Sequence, residues 1–144
     1  NPKSYHGIAL PYRTEREVLP MVKKLGQAFL PYSPLFQGLL AGKFLDGIDF
    51  SSKDIRNENP KLVGPDFQLY LDAARNINRL AQEIGHPMNE LALNWLRQKP
   101  EVTSIIGGAS TVKQLEDNIR CTQWELDAPA MRRLDEILEP FEDL

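Results

Sequence analysis

Apolar residues recur at three- and four-residue steps through Phe67, Tyr70, Leu71, Ala74, Ile77, Leu80, Ala81 and Ile84, which places them on one face of a helix ending near Gly85. Pro87 suits the start of a second helix, because its missing N–H is a donor that a first turn leaves unpaired anyway. Met88, Leu91, Ala92, Trp95 and Leu96 form that helix's apolar stripe. Farther on, Ser110 or Thr111 is placed to cap a helix carrying Val112, Leu115 and Ile119. Asp127 is placed to cap the last one, with Pro129 in its first turn and Met131, Leu134, Ile137 or Leu138, and Phe141 along one side. Upstream, residues 14–25 read as a helix that Pro20 either kinks or enters near its first turn.

Two short apolar runs break this periodicity. Residues 27–33 (QAFLPYS) and 102–107 (VTSIIG) are too short for helices, and the second is rich in β-branched residues; both predict strands. Strands separated by helical crossovers argue for parallel βα units and an α/β fold. Residues 44–65 show no apolar period and many Asp, Asn, Ser and Lys residues, which predicts a long surface loop of the kind that often covers a site. No internal repeat, low-complexity tract or linker divides the chain, so residues 1–144 are expected to form one unit.

Composition narrows the class. The 144 residues, 42 % hydrophobic and 26 % charged, with 9 glycines and 11 prolines, suit one soluble globular domain. A net charge of -3 and a pI near 5.4 provide no basic field for nucleic acid. No apolar run approaches the roughly 20 residues of a membrane helix, and residues 1–10 lack the charged-then-apolar order of a signal peptide. A lone Cys121 cannot make an intrachain disulfide, and His6 and His86 provide no zinc-ligand spacing. A reducing, cytoplasmic setting without nucleic acid, membrane or structural metal is expected.

Candidate chemistry falls at the carboxyl ends of the two predicted strands, where barrel-type α/β proteins carry their sites. After the second strand, Gly107 and Gly108 let backbone approach a ligand, while Ser110, Thr111 and the following helix N-terminus suit a phosphate cradle. The same residues also make an ordinary turn with an N-cap. Asp117 and Asn118, one helical turn beyond Gln114, lie within reach of a base or ribose, or are plain surface residues. After the first strand, Tyr32 can stack on a planar ring or sit half-buried in a core. Gly38 and Gly42 allow a tight turn, and Lys43 adds a mobile point charge suited to phosphate or is simply solvated. Two or three strands alone leave sheet edges open, so the pattern looks like part of a larger sheet.

Taken in order, LPYSPLFQGLLAGKF, IRNE, LALNWLRQKPEVTSIIGGASTVKQLEDNI and LDAPAMRRLDEIL resemble the C-terminal half of an aldo-keto reductase. The similarity is greatest to the bacterial branch and the related potassium-channel beta subunits, and it covers about residues 14–140. It implies a partial (β/α)8 TIM barrel, about strands six or seven to eight with flanking helices, and an NADP(H) cofactor; whole barrels run to ~250 residues. Residues 28–32 would be the seventh strand, 102–106 the eighth, and 14–25 the helix after the sixth.

By that resemblance Tyr32 stacks on nicotinamide, and Ser33, Pro34, Leu35 and Gly38 run under the pyrophosphate. Lys43 and Arg56 clamp phosphates. Gly108, Ser110, Thr111, Gln114, Asp117 and Asn118 meet the adenosine end, with Ser110, Thr111 and Gln114 near the 2′-phosphate. The family's catalytic Asp, Tyr, Lys and His come from the first half of the barrel, so no catalytic residue is assigned here. Tyr5 and Tyr12 have no motif to make either an acid. The family's sixth-strand pattern of Gln, then Tyr, before an Arg does not occur in NPKSYHGIALPY. The resemblance thus implies the cofactor-binding portion of an NADP(H)-dependent oxidoreductase that reduces aldehyde or ketone substrates. The alternative is a non-catalytic half barrel serving as a nucleotide-binding or interaction module. In either case open strand edges invite self-association.

Overall fold

The computed structural model describes residues 14–47 and 49–141. The features read in residues 1–12, including Tyr5, His6 and Tyr12, lie outside them. Among the described residues six α-helices follow one another: α1 Leu19–Leu25, α2 Pro60–Val63, α3 Phe67–Glu83, α4 Met88–Arg97, α5 Val112–Ile119 and α6 Ala128–Leu138.

The helix boundaries have local causes. Residues 14–25 do not form one helix: a wide π-type turn over Thr14–Val18 precedes α1, and Pro20 lies within the first two positions of α1. Proline cannot donate the i→i−4 bond that would continue an α-ladder from the preceding turn. Gly26 ends α1 at φ 60°. Pro87 precedes α4 in an extended conformation. Thr111, not Ser110, caps α5 by accepting from Gln114 N at 3.2 Å, and Asp127 caps α6 by accepting from Ala130 N at 2.8 Å.

The core lies between α3, α4 and α6. Ile77, Leu80 and Ala81 of α3 pack with Met88 and Leu91 of α4, Leu126, and Ala130 and Leu134 of α6. A second cluster joins Leu71 and Ala74 of α3 to Leu39 and Leu62, with Phe44, Phe50 and Phe67 against it. Residues 44–65 are therefore more than a surface loop. Short 3₁₀ and α turns at Ile55–Glu58 and Pro60–Val63 bury Leu62 and Asn59, although their spacing has no helical or strand period.

The two predicted strands are reduced to two isolated parallel bridges, Phe29 with Val102 and Tyr32 with Ile106. Thr103 N donates to Phe29 O, and Ile106 N to Pro31 O, both at 2.9 Å. In regular parallel pairing the next bond would run from the N–H of residue 31 to Thr103 O, and proline has no N–H. The register also slips by one residue between the bridges. The described residues thus form a helix-rich structure with a parallel pairing along one side and no extended sheet.

Candidate functional site

Both extended segments open into loops that face one cavity of about 580 Å³. The first loop turns sharply. Ser33, Phe36 and Gln37 have φ of 54°, 49° and 51°, a left-handed region that costs L-residues about 1 kcal/mol or more each. Side chains outside the loop support this backbone. Asn59, buried, donates from Nδ2 to Gln37 Oε1 at 2.9 Å, so the 44–65 segment holds the loop from behind. Gly38 sits at φ 104°, and a Cβ there would meet the Phe44 ring at 3.0 Å. Only glycine satisfies both conditions.

The second loop is built by side-chain capping. Gln114 Oε1 accepts from Ser110 N at 2.7 Å while Gln114 N donates to Thr111 Oγ1. Two N–H groups that an empty phosphate cradle would offer are therefore used internally. The Ser110 hydroxyl and the Gln114 side-chain NH2 remain at the rim. Asn118 Nδ2 donates to Gly108 O at 3.4 Å, and a Cβ on Gly108 would meet no atom within 4 Å. Backbone is thus exposed to the cavity at Gly108.

The sequence-derived residues converge unevenly. Tyr32, Ser33, Pro34, Leu35, Gly38 and Lys43 line the cavity from the first loop. Gly108, Ser110, Gln114, Asp117 and Asn118 line it from the second. Thr111 is not part of the lining; its side chain caps α5. Arg56 is also elsewhere: its Nε donates to Asp54 Oδ1 at 2.8 Å, and its guanidinium lies over the Phe44 and Phe50 rings at 5.0 and 4.3 Å. The Arg56 guanidinium lowers the Asp54 carboxyl pKa to about 2. Gln37, Ala41, Asn89 and Ile106 also line the cavity, although no sequence signal singled them out. Asn89 arrives from α4, more than forty residues from the first loop, a proximity that no local pattern carries.

Among the described residues Asp117 is the only carboxylate lining the cavity, and it is compensated. Lys113 Nζ lies 3.1 Å from both of its oxygens, and an Arg120 guanidinium nitrogen donates to Oδ1. These two cations hold its carboxyl below the usual range, Lys113 first. Cys121 is buried, and desolvation pushes its thiol up, which makes it a packing residue.

A second, largely apolar cavity of about 460 Å³ lies on the other side of Tyr32, among Pro31, Tyr70, Trp95, Leu134 and Phe141. Among the described residues no helix is long and apolar enough to cross a membrane.

The arrangement of paired loops at the ends of two parallel segments belongs to a recognisable family. The model of the Aldo/keto reductase family matches residues 4–139, and the chain belongs to that family. It is 33 % identical over 140 residues to the aldo-keto reductase YhdN of Bacillus subtilis, covering 93 % of this chain and 42 % of that protein. A relative from Schizosaccharomyces pombe, named for the beta subunit of a voltage-gated potassium channel, is 32 % identical over 130 residues, covering 86 % of this chain and 38 % of the relative. Among solved structures, the glycerol dehydrogenase AKR11B4 from Gluconobacter oxydans superposes with a TM-score of 0.77 at 28 % identity, over 88 % of this chain and 38 % of that one. The chain spans about two fifths of the length of these relatives.

Proposed function

We propose that this chain is the cofactor-binding, C-terminal portion of an NADP(H)-dependent aldo-keto reductase barrel, acting on aldehydes or ketones in the cytoplasm. The observation that supports this reading is the convergence of two loops, more than sixty residues apart, on one cavity. Every cofactor residue implied by the resemblance, Arg56 and Thr111 excepted, lines it.

The donor set fits a dinucleotide. The exposed Tyr32 ring lies at the end of the first segment, where a planar group can stack, and among the described residues Lys43 is the cationic side chain lining the cavity. Glycine at 38 keeps the loop close, and the open backbone at Gly108 leaves room for a ligand to lie against it. Ser110 and Gln114 provide hydrogen bonds at the adenosine end, where the 2′-phosphate distinguishes the two nicotinamide cofactors. Asp117 and Asn118 add an acceptor and an amide. When bound, the cofactor supplies the hydride that reduces a carbonyl carbon. The chain's own part is to orient it, exclude water behind its pyrophosphate and neutralise its charge. No residue of this chain is assigned the proton transfer.

Fluorescence titration with NADPH and NADH tests the assignment. A modest preference for NADPH is expected, because Ser110 and Gln114 are uncharged, and Ser110→Ala with Gln114→Ala should abolish it. Equal affinities in the unmodified chain refute the 2′-phosphate site. Consumption of NADPH with simple aldehydes should be undetectable for this chain alone. Turnover that disappears on mutating one of its tyrosines overturns that part of the reading.

A further inference from the structure

The mechanism proposed above leaves one charged cluster unused, and it lies directly behind Asp117. Glu90 of α4 is only 3 % exposed. A buried carboxylate is strongly disfavoured unless its oxygens are paired. Here Oε1 accepts from Arg120 Nε at 2.9 Å and Oε2 from Trp124 Nε1 at 3.1 Å, with His86 Nδ1 3.5 Å from Oε2. The His86 ring stacks flat on Trp124, with centroids 3.6 Å apart and planes 10° apart, which closes the pocket around the carboxylate.

The neighbouring Nη2 on the same edge of the Arg120 guanidinium donates to Asp117. One guanidinium therefore bridges a buried acid and a cavity-lining acid. It cannot rotate away from Asp117 without withdrawing its Nε–H from the buried Glu90 Oε1, to which no other group among the described residues donates. The other partner of Asp117, Lys113, is 80 % exposed on a flexible stem, and exposed ion pairs of that kind constrain little. We infer that Glu90 is a positioning residue: through Arg120 it fixes the Asp117 carboxylate at the mouth of the cavity, in the orientation that receives the donor groups of an adenosine moiety. The adenosine half of this inference rests on the cofactor reading above; the Glu90–Arg120–Asp117 coupling does not.

Two measurements on the 144-residue chain separate them. The first needs no ligand: carboxyl carbon NMR titration of Asp117. In Arg120→Lys, which keeps the charge but loses the fork that spans both acids, the Asp117 pKa should rise toward the ordinary carboxylate value, and an unchanged value overturns the coupling. In Glu90→Gln the Asp117 pKa should also move, because Arg120 loses the charged partner it shares with Asp117, and an unchanged value there overturns the coupling as well. The second is calorimetric binding of 2′,5′-ADP and of nicotinamide mononucleotide. Glu90→Gln should weaken 2′,5′-ADP about fivefold, as expected for loss of one oriented hydrogen bond, and leave the mononucleotide unchanged. In an Asp117→Asn background the same substitution should have no further effect. Equal weakening of both probes, or full additivity with Asp117→Asn, overturns positioning in favour of a merely structural role. Absence of any nucleotide binding by the unmodified chain refutes the cofactor reading and with it the adenosine half, while the titration still decides the coupling.

Discussion

Helices α3 and α5 carry apolar stripes of the same spacing and meet opposite environments. On α3, Leu71, Ala74, Ile77, Leu80 and Ala81 are all buried against α4, α6 and the 44–65 segment. On α5, Val112, Leu115 and Ile119 are 73 %, 50 % and 53 % exposed. The same contrast divides the molecule. One side is a closed helical core; the other, comprising α5 and the two extended segments, leaves Leu30, Tyr32 and Ile106 exposed as well. A period of 3.6 identifies the face of a helix that seeks cover, and the rest of the fold decides whether cover is present. The cavity sits on the uncovered side, where its loops rest on strained backbone and capping bonds.

The largest expected difference is in stability. Leu91→Ala, at a fully buried α4 position, should cost about 2–5 kcal/mol in urea unfolding. Leu115→Ala on α5 should stay within about 0.5 kcal/mol. Comparable losses would mean that the α5 face is covered in solution, which breaks the contrast outright.

Next in size is association. An uncovered apolar face beside unpaired strand edges should make the average mass of the chain rise with concentration in sedimentation. Leu115→Lys with Ile119→Lys should lower that rise. A monomer at all concentrations, with or without the lysines, would show that the exposed stripe is tolerated as it stands.

Smaller again is the effect of Lys43 on the uncovered side. Lys43→Ala should weaken NADPH and NADH alike by about tenfold in titration and flatten their dependence on salt. Unchanged affinity removes Lys43 from the phosphate contacts. Arg56→Ala should leave nucleotide affinity nearly unaltered, since its guanidinium faces Asp54 and two phenylalanine rings.

The smallest effect concerns the segment that supports the first loop. The folded Asp54 pKa is lowered to about 2, so the pair stabilises the fold above the unfolded carboxylate value of about 3.9, and that contribution is lost as pH falls through about 2. Thermal melts should show a decline over this acidic window that Arg56→Ala makes shallower. An identical profile in the variant would mean that the pair holds the loop without contributing to stability.

Much of the helical side was legible in local pattern. The stripes of α3 and α6, the cap at Asp127 and the stop at Gly85 depend on residues within a few turns of one another, and the structure has them near the predicted positions. On α4 only Met88 and Leu91 of the predicted stripe are buried, together with Glu90, Leu93 and Asn94, while Ala92, Trp95 and Leu96 are half-buried. The family itself was legible because several ordered motifs retain their spacing. Other features were settled only by distant contacts. Pro31 interrupts the pairing of two segments that read as strands, because the bond it cannot make belongs to a partner over seventy residues away. Leu62 and Asn59 are buried although their neighbourhood is polar, because Leu39, Leu71 and Gln37 come to meet them. Arg56 looked like a phosphate ligand by motif, yet Asp54 and two rings hold its charge elsewhere. Local sequence determined which faces and caps each element has. Tertiary structure alone decided which faces are covered, which charges are already paired, and that Glu90 stands behind Asp117.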